Sequence, residues 1–309
     1  MEAGITGIEL SEINRLAREN DIVSRSYREY MARVEAVADH ILAEDSRLVL
    51  VAGPSSSGKT TSSQLISRSL RQRGKNSAVI SMDMFFRHHD TFSAKREDGT
   101  ADYEHVDAVN LEALRETVTK LIEGKPSSIT LWNLFRQREE MADFDPGPGD
   151  LIVVIEGLHA LDPLTWQGLP EQRMTKVYAT IFNEVTKDGE EYLSASDIRI
   201  SRRLLRDRVS RGGPVERTLG IQDSIEEGAD RWVRPFREHA DCLLNTTFLC
   251  EFGMLKGEIL KCCADPAQGG KFRQKLLELG EKFRAFEDTD IGLLPKDAVI
   301  REFLGGLEL

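Results

Sequence analysis

VLVAGPSSSGKTT, residues 49–61, is the stretch that decides the fold of this chain. The apolar run from Leu48 to Ala52 predicts a buried strand, and the residues from Thr60 to Leu70 predict the helix that follows it. Between strand and helix the spacing is G-x-x-x-x-G-K-[ST]. Gly53 and Gly58 permit backbone angles that L-residues resist, so successive amide groups can curl around a phosphate chain at the start of the helix. The stretch therefore predicts a nucleoside-triphosphate site.

The residues of this loop have different expected roles. We expect the ammonium group of Lys59 to reach the β- and γ-phosphates of ATP, and the hydroxyl of Thr60 to bind Mg²⁺. The alternative is a Ser/Gly-rich turn that holds no ligand. The residues expected to contact the nucleotide are Gly53, Pro54, Ser55, Ser56, Ser57, Gly58, Lys59, Thr60 and Thr61. ATP and Mg²⁺ are thus the predicted cofactors.

The composition restricts the class of partner. The 309 residues are 40% hydrophobic and carry a formal net charge of −11, which argues against bulk electrostatic binding to nucleic acid or to an anionic membrane. The sequence has no run approaching the roughly 20 apolar residues of a membrane span. The four cysteines lack the paired spacing of a metal site and are expected to be reduced thiols. We expect a cytoplasmic protein that acts on a small molecule, with homo-oligomerisation left open.

Strands and helices alternate along the chain. Residues 1–45 are predicted to form an N-terminal helical segment, and residues 46–309 the nucleotide-binding domain with its C-terminal helices. Residues 151–155 form the most continuous apolar run, as in a parallel strand covered on both faces. Residues 141–150, rich in Pro, Gly and Asp, are predicted to be a turn region. The pattern predicts an α/β fold of the P-loop NTPase type, a doubly wound, mainly parallel sheet with helices on both faces.

Two carboxylates follow predicted strands, at the edge of the sheet where ligands collect. Asp83 is a candidate general base, because a carboxylate beside the γ-phosphate could accept a proton from a substrate hydroxyl. The alternatives are a helix N-cap or a Mg²⁺ ligand. Glu156 is a candidate acidic group that holds Mg²⁺ through water, and the alternative is an ordinary carboxylate at a strand end.

An arginine-rich helix is the second strong signal, and it predicts a lid at about residues 195–215. Four arginines lie within an arc of roughly 100° on a helix of about 3.6 residues per turn, and a fifth follows at the helix end. They are Arg199, Arg202, Arg203, Arg206 and Arg211. Guanidinium groups bind phosphate bidentately, so an acidic chain that concentrates them is expected to use them on phosphates. The alternative is a solvated face paired with Asp197, Asp207 and Glu216.

Five motifs follow one another in a characteristic order. They are Gly53–Thr61, Ser81-x-Asp83-x-Phe85-Phe86, Asp102-Tyr103-Glu104-His105, Ile155-Glu156-Gly157 and Arg202-Arg203-x-x-Arg206-Asp207-x-x-x-Arg211-Gly212. In these motifs the chain resembles the uridine kinases and the wider phosphoribulokinase/uridine kinase family over about residues 48–250. Its closing residues, 300–306, resemble the end of a uridine-kinase-like subgroup. Members of that subgroup often carry an N-terminal domain related to one of threonyl-tRNA synthetase, which we expect this chain to lack.

The resemblance implies a role for individual residues. It makes Asp83 the base that activates a nucleoside 5′-hydroxyl, with Lys59 and Arg206 as its catalytic partners. The remaining assignments are an aromatic–acid pair at the ribose (Tyr103 and Glu104), an arginine near the sugar (Arg203), two lid arginines on the triphosphate (Arg206 and Arg211) and two hairpin residues near the pyrimidine (Trp132 and Gln137).

The chain also departs from the family pattern. Glu104 stands where aspartate is usual and reaches one methylene further, and Gln137 replaces a histidine that reads the base. Phosphoryl transfer to a small hydroxyl acceptor is therefore better supported than uridine as the acceptor. The alternatives are a kinase for another metabolite, such as a sugar phosphate or a pantothenate-like compound, and a nucleotide-dependent switch with little turnover.

Overall fold

The computed structural model describes residues 5–96, 99–133, 136–169 and 173–309, with the backbone alone of residues 210 and 211. The strands are β1 (Thr6–Glu9), β2 (Leu48–Ala52), β3 (Asn76–Ser81), β4 (Ser127–Asn133), β5 (Arg138–Phe144), β6 (Leu151–Glu156), β7 (Met174–Thr180), β8 (Asn183–Lys187), β9 (Glu190–Leu193) and β10 (Cys242–Asn245). The helices are α1 (Leu10–Ala17), α2 (Ile22–Ala43), α3 (Lys59–Gln72), α4 (Leu111–Ile122), α5 (Pro163–Trp166), α6 (Ala195–Arg211), α7 (Val215–Gly220), α8 (Gln222–Trp232), α9 (Glu251–Ala264), α10 (Arg273–Arg284) and α11 (Arg301–Leu304). Among these described helices, none is long and apolar enough to cross a membrane.

A five-stranded parallel sheet forms the centre of the fold, in the order β10-β7-β2-β6-β3. Successive residues of β2 point to opposite faces, so Val49 and Val51 enter one core with α2 and α3, whereas Leu48 and Leu50 enter another with α4. Both faces of the central strands are therefore buried, which explains their continuous apolar sequences. The predicted doubly wound α/β fold is confirmed.

Three strands bring the predicted chemistry to one edge of this sheet. β2 and β3 both pair with β6, and Glu156 at the end of β6 lies level with Val51 and with Ser81. The loop after β2, the segment after β3 and the carboxylate that ends β6 therefore meet at the carboxyl edge, where open parallel sheets bind ligands.

The hairpin of β4 and β5 corrects one expectation. Residues 141–144 were predicted to lie in a turn region, but they complete β5, where Met141 pairs with Thr130. Most residues of β5 are polar and exposed or half-buried, so the strand has no apolar alternation that would indicate it. The turn residues begin only after Phe144.

The N-terminal segment contains a strand as well as the predicted helices. β1 pairs in parallel with β8, which lies far away in the sequence. In α2, Tyr30 and Val34 are fully buried in the same core as α3, and the Tyr30 hydroxyl lies 2.8 Å from the Ser62 Oγ of that helix. This segment thus packs against α3, the helix that follows the loop of residues 53–58, which is called the phosphate loop below. The division of the chain at residues 45 and 46 stays a prediction.

Candidate active site

The backbone of the phosphate loop depends on its two glycines. Gly58 has a φ of +86° and immediately precedes α3. A Cβ atom on Gly53 would lie 2.0 Å from the carbonyl oxygen of Ala179, so a side chain does not fit there. The Thr246 hydroxyl donates a 2.5 Å hydrogen bond to the carbonyl of Ser57 and ties the loop to the end of β10. The loop therefore has a fixed shape that other residues would distort.

The polar side chains of this loop fall into two groups. The hydroxyls of Ser56 and Ser57 are buried and have no hydrogen-bond partner among the described residues. Lys59 is half-buried and Thr60 is exposed at the start of α3, facing the region where a triphosphate would lie. By contrast, the Thr61 hydroxyl donates a 2.5 Å hydrogen bond to Glu302, so this side chain links the start of α3 to α11.

Thr60 and Glu156, the two predicted magnesium ligands, are brought together. The Thr60 hydroxyl donates to Glu156 Oε2 over 3.2 Å. Burial raises the pKa of the Glu156 carboxyl, the nearby charge of Lys59 lowers it, and Asp83 raises it again. A hydroxyl and a carboxylate at the carboxyl edge of the sheet are the oxygen donors that Mg²⁺ prefers, so these residues fit the ion.

Asp83 lies in a short 3₁₀ helix, Met82–Phe85, directly after β3. Its side chain is exposed, and the N-cap of this helix is Ser81, whose hydroxyl accepts a hydrogen bond from the Asp83 backbone N–H. The N-cap alternative for Asp83 is therefore wrong. Because the charge of Asp83 raises the pKa of Glu156, the two carboxylates lie in the same electrostatic environment. The roles of base and of metal ligand both remain compatible with this position.

A cavity of about 330 Å³ lies between Asp83 and the β4–β5 hairpin. Its lining consists of Asp83, Met84, Leu131, Trp132, Asn133, Glu140, Met141, Ala142 and Asp143. The indole of Trp132 packs edge-on against His88, with 4.5 Å between ring centroids, and its buried N–H has no hydrogen-bond partner in the described part of the chain. Gln137 lies exposed in the hairpin turn with a φ of 52° and is not part of this lining.

Tyr103 and Glu104 lie on the loop that leads toward α4. The Tyr103 ring packs edge-on against Phe86 and Phe92, with centroids 5.5 and 5.3 Å away. Burial raises the pKa of the Glu104 carboxyl, while the charges of Arg203 and Lys59 lower it. The carboxyl of Glu104 is therefore influenced by one cation at the start of α3 and another on α6, and its role at an acceptor stays a prediction.

Of the two lid arginines expected near the sugar and the triphosphate, Arg203 contacts the loop after β2, whereas Arg206 is paired with an acidic residue of its own helix. Arg203 donates a 2.8 Å hydrogen bond to Ser55 Oγ, which brings the middle of α6 onto the loop. The guanidinium of Arg206 is 3.1 Å from Asp207 Oδ1. The side chain of Arg211 lies outside the described residues.

The other two arginines of the predicted arc, Arg199 and Arg202, are paired with acidic residues of α8 and α9. Arg202 is fully buried and forms two hydrogen bonds of 2.7 and 2.8 Å with Glu251, so it is a core residue and its expected phosphate contact is wrong. Arg199 is also buried and donates to Glu226 over 2.6 Å, with a longer contact of 3.4 Å to the Ser55 carbonyl. The expectation that the whole arc faces phosphate therefore fails, because partners distant in sequence bury these guanidinium groups.

His159 is a residue of the site that the sequence interpretation missed. It follows β6 by three residues, is 2% exposed, and neither ring nitrogen has a hydrogen-bond partner within the described ranges. The pKa of its imidazole is lowered to about 4, mainly because the ring is buried and partly because His105 lies nearby. The signal available in the sequence was a titratable residue just beyond a strand end that already carried a candidate ligand.

The fold and this arrangement define a P-loop protein whose phosphate loop, paired oxygen donors and exposed carboxylate meet at one edge of a parallel sheet. Residues 48–185 match the model of the Phosphoribulokinase / Uridine kinase family. The chain is 26% identical over 203 residues to a uridine kinase of Staphylococcus epidermidis, and the aligned region covers 64% of this chain and 86% of that protein. It is 26% identical over 201 residues to uridine-cytidine kinase B of Dictyostelium discoideum, covering 64% and 73% of the two chains.

Among solved structures, a possible uridine kinase from Bacillus stearothermophilus is similar to the chain with a TM-score of 0.41 and 20% identity, over 48% of this chain and 80% of that one. Over residues 48–185 the chain is therefore similar to the kinases of the Phosphoribulokinase / Uridine kinase family.

Proposed function

We propose that the protein transfers the γ-phosphoryl group of ATP, in the presence of Mg²⁺, to the 5′-hydroxyl of a ribonucleoside, most readily a pyrimidine ribonucleoside. One observation carries the proposal. Burial raises the pKa of both Glu156 and Glu104, and the charge of Lys59 acts against this shift in both carboxyl groups, while Asp83 follows by two residues the Ser81 that pairs with Glu156. A proposed metal-binding carboxylate, a proposed acceptor-binding carboxylate and a candidate base therefore share one electrostatic environment with the cation proposed to bind phosphate.

The nucleotide would be held by the loop and the lid together. Backbone N–H groups of the loop and the start of α3 would bind the phosphates, with the ammonium group of Lys59 on the transferring end. Arg203 already contacts Ser55 of the loop, and Arg206 lies one helical turn further along α6. Both guanidinium groups could neutralise charge that develops during transfer. Bound through Thr60 and Glu156, Mg²⁺ would neutralise the β- and γ-phosphate oxygens.

Asp83 would act on the acceptor. Its exposed carboxylate lines the cavity beside the hairpin and could accept the proton of a hydroxyl bound there. Proton removal makes that oxygen a better nucleophile as it attacks the γ-phosphorus. The remaining contribution of the protein is positioning and charge neutralisation, as in other phosphoryl transfers.

The charge of the cavity favours an uncharged acceptor over a phosphorylated one. Its lining includes the carboxylates of Asp83, Glu140 and Asp143, and no lining residue among those described is basic. Arg136 and Arg138 bind Glu140 and hold its pKa at about 2, so this carboxylate stays ionised. A sugar phosphate would meet the carboxylates of Asp83 and Asp143 there, whereas the flat, neutral base of a nucleoside can pack against Trp132.

The proposal is tested by steady-state kinetics on matched acceptors. Wild-type protein, ATP and Mg²⁺ are combined with uridine, 2′-deoxyuridine and a pentose phosphate, and each kcat/KM is measured. Hydrogen bonds to a charged acceptor group contribute about 1.5–3 kcal/mol each, so we expect the ribonucleoside to be preferred over its 2′-deoxy form by about 10-fold or more. Glu104→Gln should narrow that preference, and the control Glu139→Gln, on the exposed face of β5, should keep it. Equal values for both sugars, or a faster reaction with the pentose phosphate, would contradict the proposal.

A further inference from the structure

Helix α8 touches the acceptor side of the site at a glycine. A Cβ atom on Gly228 would lie 2.8 Å from the Cβ of Glu104, 3.1 Å from its Cγ and 3.6 Å from its Oε2. Real Cβ atoms do not approach another carbon to 2.8 Å, so a side chain at position 228 would push Glu104 and its loop away from the helix. Glu104 can therefore occupy its observed position only because residue 228 of α8 has no side chain.

The surrounding contacts hold the same two elements together. Next to Glu104, the ring of His105 packs edge-on against Trp232 at the end of α8, with 4.6 Å between centroids. The buried ring of His159 lies close to the backbone of both Glu104 and Trp232. Two consecutive residues of the loop, Glu104 and His105, therefore lie against α8.

The stem of Glu104 lies on the helix, while its carboxyl is influenced by cations of other elements. The charges of Arg203 on α6 and of Lys59 at the start of α3 lower the pKa of this carboxyl, which burial raises. The stem atoms Cβ and Cγ make the closest approach to Gly228, so α8 determines where the side chain starts and how far it extends.

We propose that Gly228 is a positioning residue for acceptor binding: by letting the stem of Glu104 lie directly on α8, it sets the reach of the carboxylate toward the acceptor hydroxyls. The inference rests on the proposed function, because the role of Glu104 as an acceptor ligand is assigned there. It adds α8, which none of the sequence motifs includes, as the wall of the acceptor site that determines the fit of the sugar.

The test is Gly228→Ala, with Gly257→Ala as its matched control. Both glycines lie inside helices, but a Cβ atom on Gly257 meets nothing within 4 Å. We expect Gly228→Ala to lower kcat/KM for the ribonucleoside by about 10-fold or more and to leave the KM for ATP within about twofold. Gly257→Ala should leave both unchanged. A purely structural defect would instead affect both substrates or the amount of folded protein.

Stability of the variants gives a second readout that needs no activity. Glu104→Gly removes the Cβ atom that Gly228→Ala would strike, so the loss of melting temperature caused by Gly228→Ala should be smaller in the Glu104→Gly background. Should Gly228→Ala not be recovered folded, recovery of the double variant supports the same contact, and failure of both overturns it.

The outcomes separate this inference from the proposed function. A wild-type protein that phosphorylates ribonucleosides, with Gly228→Ala equal to Gly257→Ala in acceptor kcat/KM, overturns the inference alone. A wild-type protein without activity on any ribonucleoside contradicts the proposed function, and the melting-temperature cycle still tests the contact.

Discussion

The imidazole of His159 makes the stability of the protein depend on pH in a direction that the structure determines. Burial lowers the pKa of this ring to about 4 in the folded protein, against an ordinary value of 6.5. Between these two pH values the unfolded chain binds a proton that the folded protein excludes, so stability falls as the pH drops through this window. At about 1.36 kcal/mol per pH unit, the gap corresponds to about 3 kcal/mol of stability lost near pH 4.

The substitution that isolates this contribution is His159→Leu, which replaces the buried imidazole with an apolar side chain that does not titrate. The free energy of unfolding would be measured by urea denaturation at intervals from about pH 8 to about pH 4. The other titratable groups contribute equally to the pH dependence of both proteins. The difference in free energy of unfolding between wild type and variant therefore reports the titration of His159. We expect that difference to shift in favour of the variant by about 3 kcal/mol across the window.

The test has a control variant and a result that would refute the reasoning on His159. His89→Gln removes an imidazole whose side chain is 51% exposed, and it should leave the wild-type pH dependence in place. Parallel curves for wild type and His159→Leu from about pH 7 to about pH 4 would refute the reasoning, because the ring would then be protonated equally in the folded and unfolded states.

Three further experiments test separate parts of the account. Asp83→Asn should lower kcat by about 10²–10⁴-fold with ATP binding retained, and loss of ATP·Mg²⁺ binding with an unchanged rate of the bound complex would make Asp83 a metal ligand. Thr61→Val and Glu302→Gln should each cost about 1–3 kcal/mol in urea denaturation, with the double variant costing little more than either one; full additivity would show that their 2.5 Å hydrogen bond is not a shared interaction. Glu251→Gln should destabilise the protein by about 3–5 kcal/mol because Arg202 is left buried without its counter-charge, and a loss below about 1 kcal/mol in the same assay would contradict that role.

Local sequence patterns were sufficient for the centre of the fold. The strands β2 and β6 are buried on both faces, so their sequences are continuously apolar, and the glycines of the phosphate loop follow from its backbone geometry. The same reasoning placed Thr60 and Glu156 at one edge of the sheet, where they form a hydrogen bond. Each of these features is encoded in a short stretch of consecutive residues.

The features that could not be predicted depend on partners distant in sequence. The arc of arginines on α6 is a local property, but Glu251 decides that Arg202 is a core residue, and no periodicity links the two. In the same way, the importance of Gly228 depends on a contact with Glu104 that only the tertiary fold creates. The strand β5 escaped prediction for a different reason, since a polar, solvent-facing strand resembles a loop in sequence.

Transfer of label from γ-³²P ATP to a ribonucleoside, compared between wild type and Lys59→Ala, tests the central claim most directly. Lys59 lies at the start of α3 and its charge acts on both Glu156 and Glu104, so its removal should abolish transfer while the circular dichroism spectrum and melting temperature stay close to those of the wild type. The account predicts labelled nucleoside monophosphate with the wild-type protein and only background with Lys59→Ala. A folded Lys59→Ala protein that transfers label at nearly the wild-type rate would contradict it.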